Sequence, residues 1–228
     1  MSARPERLAG VEVMTFDCYG TLIDWEGGAK STLRALLVLK DARADEEAFF
    51  QAWERAQRQR IEQSYAPYRQ IAAASVLEVA RAQSLPLAAQ DAELFADSIA
   101  TWKPFPDTVA ALRKLKQHLR LGIISNIDDD ILAATVKQLG VEFDLLQTAQ
   151  QAGAYKPSPV PFQRALERLA LPAARVAHAA FGFEYDISTA AALRFHTILV
   201  RRGRRDFPAA PVPDLVVDDL AALAAHFT

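Results

Sequence analysis

The stretch that most limits what this chain can become is Val11-Glu12-Val13-Met14-Thr15-Phe16-Asp17. It is a short run rich in β-forming residues, too short for a helix, that stops abruptly on an acid. Gly20 follows where a buried strand would otherwise continue. Asp17 is therefore expected at the carboxyl end of a strand, the edge at which open α/β sheets bind their ligands. Acids at such positions also cap turns, and the run alone does not separate the two roles.

The remainder of the chain agrees with such a sheet. Glu26-Gly27-Gly28 interrupts the pattern, and four helical segments follow without a strand between them: Ser31 to Lys40, Asp45 to Gln63, Tyr68 to Gln83 and Ala89 to Ala100. From Pro104 onward strands and helices alternate. Strands are expected at Leu121 to Ile124, Phe143 to Thr148, Val176 to Ala180, His196 to Val200 and Leu215 to Val217. Helices are expected at Val109 to His118, Asp129 to Leu139, Val160 to Ala170, Ile187 to Leu193 and Ala221 to His226. Such alternation implies an α/β fold, a parallel sheet covered on both faces. The core is then discontinuous, residues 1–26 and 101–228, with residues 27–100 inserted as a helical cap over the catalytic edge. Gly27-Gly28 and the prolines near Pro104 are expected to form the hinge or fixed crossings.

Composition narrows the partners. The 228 residues are 51% hydrophobic, enough for a substantial core. Lys plus Arg number 26 against 28 Asp plus Glu, so the net charge of −2 offers no general attraction to nucleic acid or anionic lipid. The single cysteine, Cys18, excludes an internal disulfide framework, and no apolar run approaches the length of a membrane span. Met1 to Gly10 carries Arg4, Glu6 and Arg7 with no apolar segment behind a basic start, which does not read as a secretory signal. The expectation is a cytoplasmic protein whose partner is a small molecule or another copy of itself. His118, His178, His196 and His226 have no ligand spacing, so no zinc site is expected. Arg201-Arg202-Gly203-Arg204-Arg205 reads as a solvated basic loop.

Phe16-Asp17-Cys18-Tyr19-Gly20-Thr21-Leu22 resembles the first motif of the haloacid dehalogenase superfamily. Three further stretches resemble its others: Leu121-Gly122-Ile123-Ile124-Ser125-Asn126-Ile127-Asp128, Gly153-Ala154-Tyr155-Lys156-Pro157, and Phe181-Gly182-Phe183-Glu184-Tyr185-Asp186. The resemblance is to the L-2-haloacid dehalogenase branch, and within it to relatives that open the ring of L-azetidine-2-carboxylate. It implies a Rossmann-like core with a helical cap after the first strand, and Asp17 as a nucleophile. A carboxylate attacks carbon when it is ionised, held rigidly and faced with a good leaving group, and water then hydrolyses the ester.

The other candidates follow from the same motifs. Thr21 would steer the carboxylate, cap the turn, or both. The superfamily's phosphatases carry a second acid where Tyr19 stands, to protonate an alkoxide leaving group; a halide or a protonated amine needs no such acid. Tyr19 thus favours displacement at carbon, although it also reads as a packing residue. Ser125 and the amides around Asn126 would face an anion at a helix start, or Ser125 and Asp128 would merely cap that helix. Lys156 would pair with Asp17, lower its pKa and keep it charged. Asp186 would hold Lys156 or orient the hydrolytic water. In the cap, Trp53, Tyr65 and Tyr68 would line an apolar pocket, with Arg55 or Arg58 holding the substrate carboxylate; aromatics at helical spacing are equally core residues. Dehalogenases carry small polar residues where Phe181 and Phe183 stand, so Phe183 would shape a different substrate pocket.

The expected activity is hydrolysis at C2 of a small 2-substituted carboxylic acid, with loss of halide or of a ring nitrogen and with no cofactor. Phosphatases of the family usually have an acid at the place of Phe181, so a magnesium site would be poor. A magnesium-dependent phosphatase and a non-catalytic binding protein with the same fold are the alternatives. Relatives in the dehalogenase branch are often dimers, which leaves a homodimer open.

Overall fold

The structure, a computed structural model, describes residues 5–204 and 206–227. Arg205 of the basic loop and the first four residues lie outside them. Six parallel strands, β1 (Val13–Phe16), β2 (Arg120–Ser125), β3 (Leu145–Thr148), β4 (Val176–Ala180), β5 (His196–Val200) and β6 (Leu215–Val217), form one sheet in the order β3-β2-β1-β4-β5-β6. The strand order reverses direction beside β1, which places the carboxyl end of β1 at the switch point where such sheets bind ligands.

Side chains alternate across the sheet. Met14, Phe16, Ile123, Ala177 and Ile198 belong to one core, packed with Leu112 and Leu115 of α5 (Thr108–Lys116) and Leu220 and Leu223 of α10 (Leu220–Ala224). Val13, Ile124, Leu145 and Val176 belong to a second, packed under Phe162, Ala165 and Leu169 of α8 (Val160–Leu169) and Ala190 of α9 (Ser188–Ala192). Both faces are covered, which is why β1 and β4 are buried along their whole length rather than alternating between core and water.

Between β1 and α5 lie α1 (Trp25–Leu39), α2 (Glu46–Gln63), α3 (Tyr68–Ala82) and α4 (Ala89–Ser98). Their centre is Trp53, ringed by Phe95, Trp25 and Phe50 at centroid distances of 5.0, 5.7 and 6.0 Å. The chain leaves and re-enters the sheet region along adjacent paths, Asp24 N–H donating to Lys103 O (2.9 Å) and Phe105 N–H to Leu22 O (3.1 Å).

Gly27-Gly28, expected as a break and hinge, instead lies in the first turn of α1. Asp24 caps that helix by accepting from Gly27 N–H at 3.0 Å. A Cβ on Gly28 would lie 2.3 Å from Trp102 Cγ, so glycine here permits close packing. The cap and that contact outweigh a helix penalty of about 1 kcal/mol per glycine. Two further elements differ from expectation: a short helix α7 (Ala149–Ala152) and a single π-turn at Phe183–Ile187 directly before α9. Helix α6 (Asp129–Leu139) follows β2, and short 3-10 turns lie at Glu6–Leu8, Ile99–Thr101, Ala173–Arg175 and Ala225–Phe227. Among the described residues, no helix is long and apolar enough to cross a membrane.

Candidate active site

Asp17 follows β1 by one residue and is 6% exposed, at the floor of a cavity of about 360 Å³. Gly20 turns the chain directly afterwards with a φ of +96°, a conformation that costs a side-chain-bearing residue but not glycine. That turn returns Thr21, whose hydroxyl donates to Asp17 Oδ2 at 2.9 Å and accepts from Phe181 N–H at 3.0 Å. Thr21 therefore ties the first motif to the fourth.

Lys156 is 1% exposed, and its ammonium donates in three directions. It reaches Asp17 Oδ1 at 2.9 Å, Asp186 Oδ1 at 2.6 Å and Ile124 O at 2.9 Å, which accounts for all three of its protons. Its backbone is held by Asn126, whose side-chain carbonyl accepts from Lys156 N–H (2.7 Å) and whose amide donates to Lys156 O (2.9 Å). Asn126 thus positions the lysine loop through its side chain. Ser125 lines the cavity and is 2% exposed.

Burial pushes the Asp17 pKa up, and the Lys156 ammonium offsets that only in part. Burial acts the same way on Asp186, but there Lys156, followed by a hydrogen bond from His178, wins and holds the carboxyl below its ordinary value. Burial opposes the charge of Lys156, yet Asp17 and Asp186 together raise its pKa above the ordinary lysine value. The result is a carboxyl that is poorly solvated and more basic than usual, not held at the lowered pKa expected from Lys156 because burial outweighs the ammonium, and pinned by hydrogen bonds at both oxygens.

Of the expected pocket residues, Tyr19, Tyr68 and Phe183 line the cavity. Tyr19 O–H bonds Thr135 Oγ1 at 2.7 Å, and Tyr68 O–H donates to Gln57 Oε1 at 2.7 Å. Trp53 does not reach the cavity: it is 0% exposed, the centre of the helical core, with its indole N–H on Ala72 O. Arg55 is exposed and is not part of the lining. Besides Lys156, two cations among the described residues line the cavity: Arg204, which lies over the Phe181 ring and so takes part of the basic loop out of the solvated role expected for it, and Arg58, in line with Glu54, Gln57 and Ile61. That spacing of three and four is one helical face, so Arg58 was readable as the partner of Glu54 and Ile61. Tyr65 stacks on Tyr155 outside the cavity.

Asp128 makes no cap bond to the helix it precedes. Its two oxygens accept instead from Tyr68 N–H (2.8 Å) and Arg69 N–H (2.9 Å), capping α3 across the cleft and fixing Tyr68 in the cavity wall. His178, dismissed on sequence spacing, is fully buried and bonded to Asp186 at 3.1 Å.

The residues present do not suit the magnesium ion of the superfamily's phosphatases. Tyr19 and Phe181 stand where those enzymes have acids. The two motif carboxylates, Asp17 and Asp186, both bond the same ammonium, and among the described residues no group of three or more His, Cys, Asp or Glu side chains could hold a metal.

A family model described as haloacid dehalogenase-like hydrolase matches residues 11–193. Among curated relatives, haloacetate dehalogenase H-2 of Moraxella sp. (strain B) is 31% identical over 103 residues, 44% of this chain and 46% of that protein. The bovine (Bos taurus) haloacid dehalogenase-like hydrolase domain-containing protein 3 is 34% identical over 107 residues, 45% of this chain and 42% of that protein. The chain spans about half the length of the curated relatives it matches. A solved defluorinating L-2-haloacid dehalogenase superposes with a TM-score of 0.88 at 20% identity, covering 100% of this chain and 99% of that one. The L-2-haloacid dehalogenase of Xanthobacter autotrophicus, solved with chloropropionic acid covalently bound, gives 0.81 at 22% identity, covering 94% and 97%. A magnesium-bound HAD-hydrolase of Bacillus subtilis gives 0.80 at 13% identity, covering 94% and 97%, so the shared fold does not by itself choose between metal-dependent and metal-free chemistry.

Proposed function

This chain belongs to the haloacid dehalogenase-like hydrolase family, and from that premise we propose that it hydrolyses at carbon without a metal, acting on a 2-substituted carboxylic acid. An Asp17 carboxylate oxygen attacks C2, and the bond from C2 to the leaving group breaks with inversion. The leaving group departs with the electron pair as halide, or as the nitrogen of a strained ring already protonated. Water then adds to the aspartyl ester carbon and the 2-hydroxy acid leaves.

The observation that carries the reading is the Lys156 ammonium held between Asp17 and Asp186, with Tyr19 rather than an acid two residues after Asp17. Thr21 and Lys156 hold the nucleophile by one oxygen each. Arg58 supports the choice of a carboxylate substrate: its guanidinium forms loose ion pairs with Glu184 at 3.7 Å and Glu54 at 3.9 Å, neither close enough for a hydrogen bond. It rests over the Tyr185 ring and retains donors for a carboxylate. Tyr19, Trp25 and Phe183 offer the C2 substituent an apolar wall.

The test is halide release from each enantiomer of 2-chloropropionate in excess EDTA, with Asp17→Asn as the blank. The reading expects release from the L form by the wild type alone. In a single turnover in heavy-oxygen water, the hydroxyl oxygen of the product should be unlabelled, because it comes from Asp17. Release that EDTA abolishes, or that survives in Asp17→Asn, overturns the proposal.

A further inference from the structure

The middle of β4 reads Val176-Ala177-His178-Ala179-Ala180, a strand of small apolar residues with one imidazole in it. His178 is 0% exposed, on the face of the sheet covered by α8, with the Phe162 ring edge-on at 5.0 Å. Burying an imidazole is costly unless its nitrogens are bonded, and both are. Nδ1 lies 2.9 Å from Thr15 Oγ1, and Nε2 lies 3.1 Å from Asp186 Oδ1.

Hydrogen-bond accounting fixes the direction of the second contact. An ionised carboxylate only accepts, so Nε2 must carry the proton it shares with Asp186. Thr15 serves either form of Nδ1, donating its hydroxyl proton to it or accepting from it while donating to Ala177 O at 3.2 Å. Asp186 Oδ1 therefore has both lone pairs occupied, by Lys156 at 2.6 Å and by His178. Oδ2 accepts from no described residue. It sits beside Gly182, where a Cβ would come within 2.6 Å of it, and Asp186 lines the cavity.

We propose that His178 is a positioning residue for the hydrolytic half of the reaction: by holding Asp186 Oδ1 it leaves Oδ2 as the oxygen that activates water. The proposal rests on the aspartyl-ester reading above. Water adds to the ester carbon as one of its protons passes to Oδ2. The bond from that carbon to the product oxygen then breaks, Oδ2 returns the proton to the product as an alcohol, and Asp17 is left as an acid that loses its proton to solvent. Ester formation uses Asp17, Lys156 and Thr21, none of which His178 touches. Loss of His178 leaves Lys156 alone on Asp186 Oδ1, which loosens the carboxylate about its terminal torsion and slows only the second step.

Rapid-mixing halide release from the same 2-halo acid distinguishes this from structural damage. His178→Leu should release close to one halide per active site in a burst at the wild-type rate, followed by a steady state slower by a factor on the order of ten or more, part of the 10²–10⁴ typical of general base catalysis. Its KM should fall in step with kcat and leave kcat/KM unchanged, because kcat/KM reports ester formation. His178→Gln, whose amide reaches the place of Nε2, should restore turnover, and His178→Asn, one methylene shorter, should not. Loss of kcat/KM without a burst, or wild-type turnover in His178→Leu, overturns the role. If the leucine variant does not fold, equal behaviour of the glutamine and asparagine variants overturns it. No halide from the wild type would overturn the reading of Asp17 as well, whereas a turning-over wild type with any of these patterns overturns the role of His178 alone.

Discussion

Replacing Lys156 by Met keeps most of the side-chain volume and removes the one positive charge between Asp17 and Asp186. Three acceptors lose their donor together: Asp17 Oδ1 and Ile124 O at 2.9 Å and Asp186 Oδ1 at 2.6 Å. Leaving a buried charge without its partner costs about 3–5 kcal/mol. For a chain of this length each kcal/mol moves Tm by roughly 2–4 °C, so the midpoint should fall by about 6–20 °C. The deficit must also depend on pH. In the wild type the Asp186 pKa is lowered, so its contribution is present above the ordinary value of 3.8 and is lost as pH falls through the lowered value. In the variant both carboxyls lose their cation and are raised by burial, so each destabilises at neutral pH, and that cost disappears on acidification. Urea titrations at about pH 7 and about pH 4 should show the gap between wild type and variant closing toward acid. Adding Asp17→Asn to Lys156→Met should recover part of the loss, because one of the two unpaired charges is gone. A deficit below about 0.5 kcal/mol, or one equal at both pH values, would refute the account of the ammonium as the charge that holds the site together.

Thr21→Val should cost about 1–3 kcal/mol, because Phe181 N–H and Asp17 Oδ2 both lose their partner in a fully buried position; thermal denaturation and halide release should fall together, and wild-type stability would contradict the contact. Gly20→Ala places a Cβ 2.2 Å from the Phe181 ring at a φ of +96°, so it should destabilise by more than about 1 kcal/mol. Phe181→Leu in the same chain should return part of that, and strict additivity in the double-variant cycle would show that the ring is not the obstacle. Asp128→Ala should cost about 0.5–2 kcal/mol and raise KM as Tyr68 loosens, and amide exchange at Tyr68 and Arg69 should accelerate; unchanged exchange would rule out the cap.

The sequence is informative wherever the signal lies within one turn or one strand. Val13–Phe16 ending at Asp17 is legible because a β-rich run must stop at an acid followed by glycine, and parallel order follows from strands alternating with helices. Asp45 before Glu46–Gln63 is a cap within the same short window, accepting from Glu47 and Ala48 N–H. Lys156 in its Tyr-Lys-Pro setting, with Asp17, Thr21, Ser125, Asn126 and Asp186, is recognisable as a set of motifs; the structure brings five of the six to the cavity and puts Thr21 behind Asp17, bonded to its carboxylate.

What the sequence withheld are contacts between distant segments. Thr15 and His178 are 163 residues apart and Asp128 and Tyr68 are 60 apart, so neither residue type nor spacing announces the bond. Trp53 and Arg58 lie on the same helix, and only packing decides which faces the core and which the cavity. Gly28 looks like a break until Trp102 is seen against it. The chain by itself determined the sheet, the edge that carries Asp17 and the ammonium partnered with it, because those follow from local pattern and from motifs. Tertiary structure alone decided how Asp186 is held and which oxygen it offers to the cavity, because the cost of burying a charge is set by whatever the fold places around it.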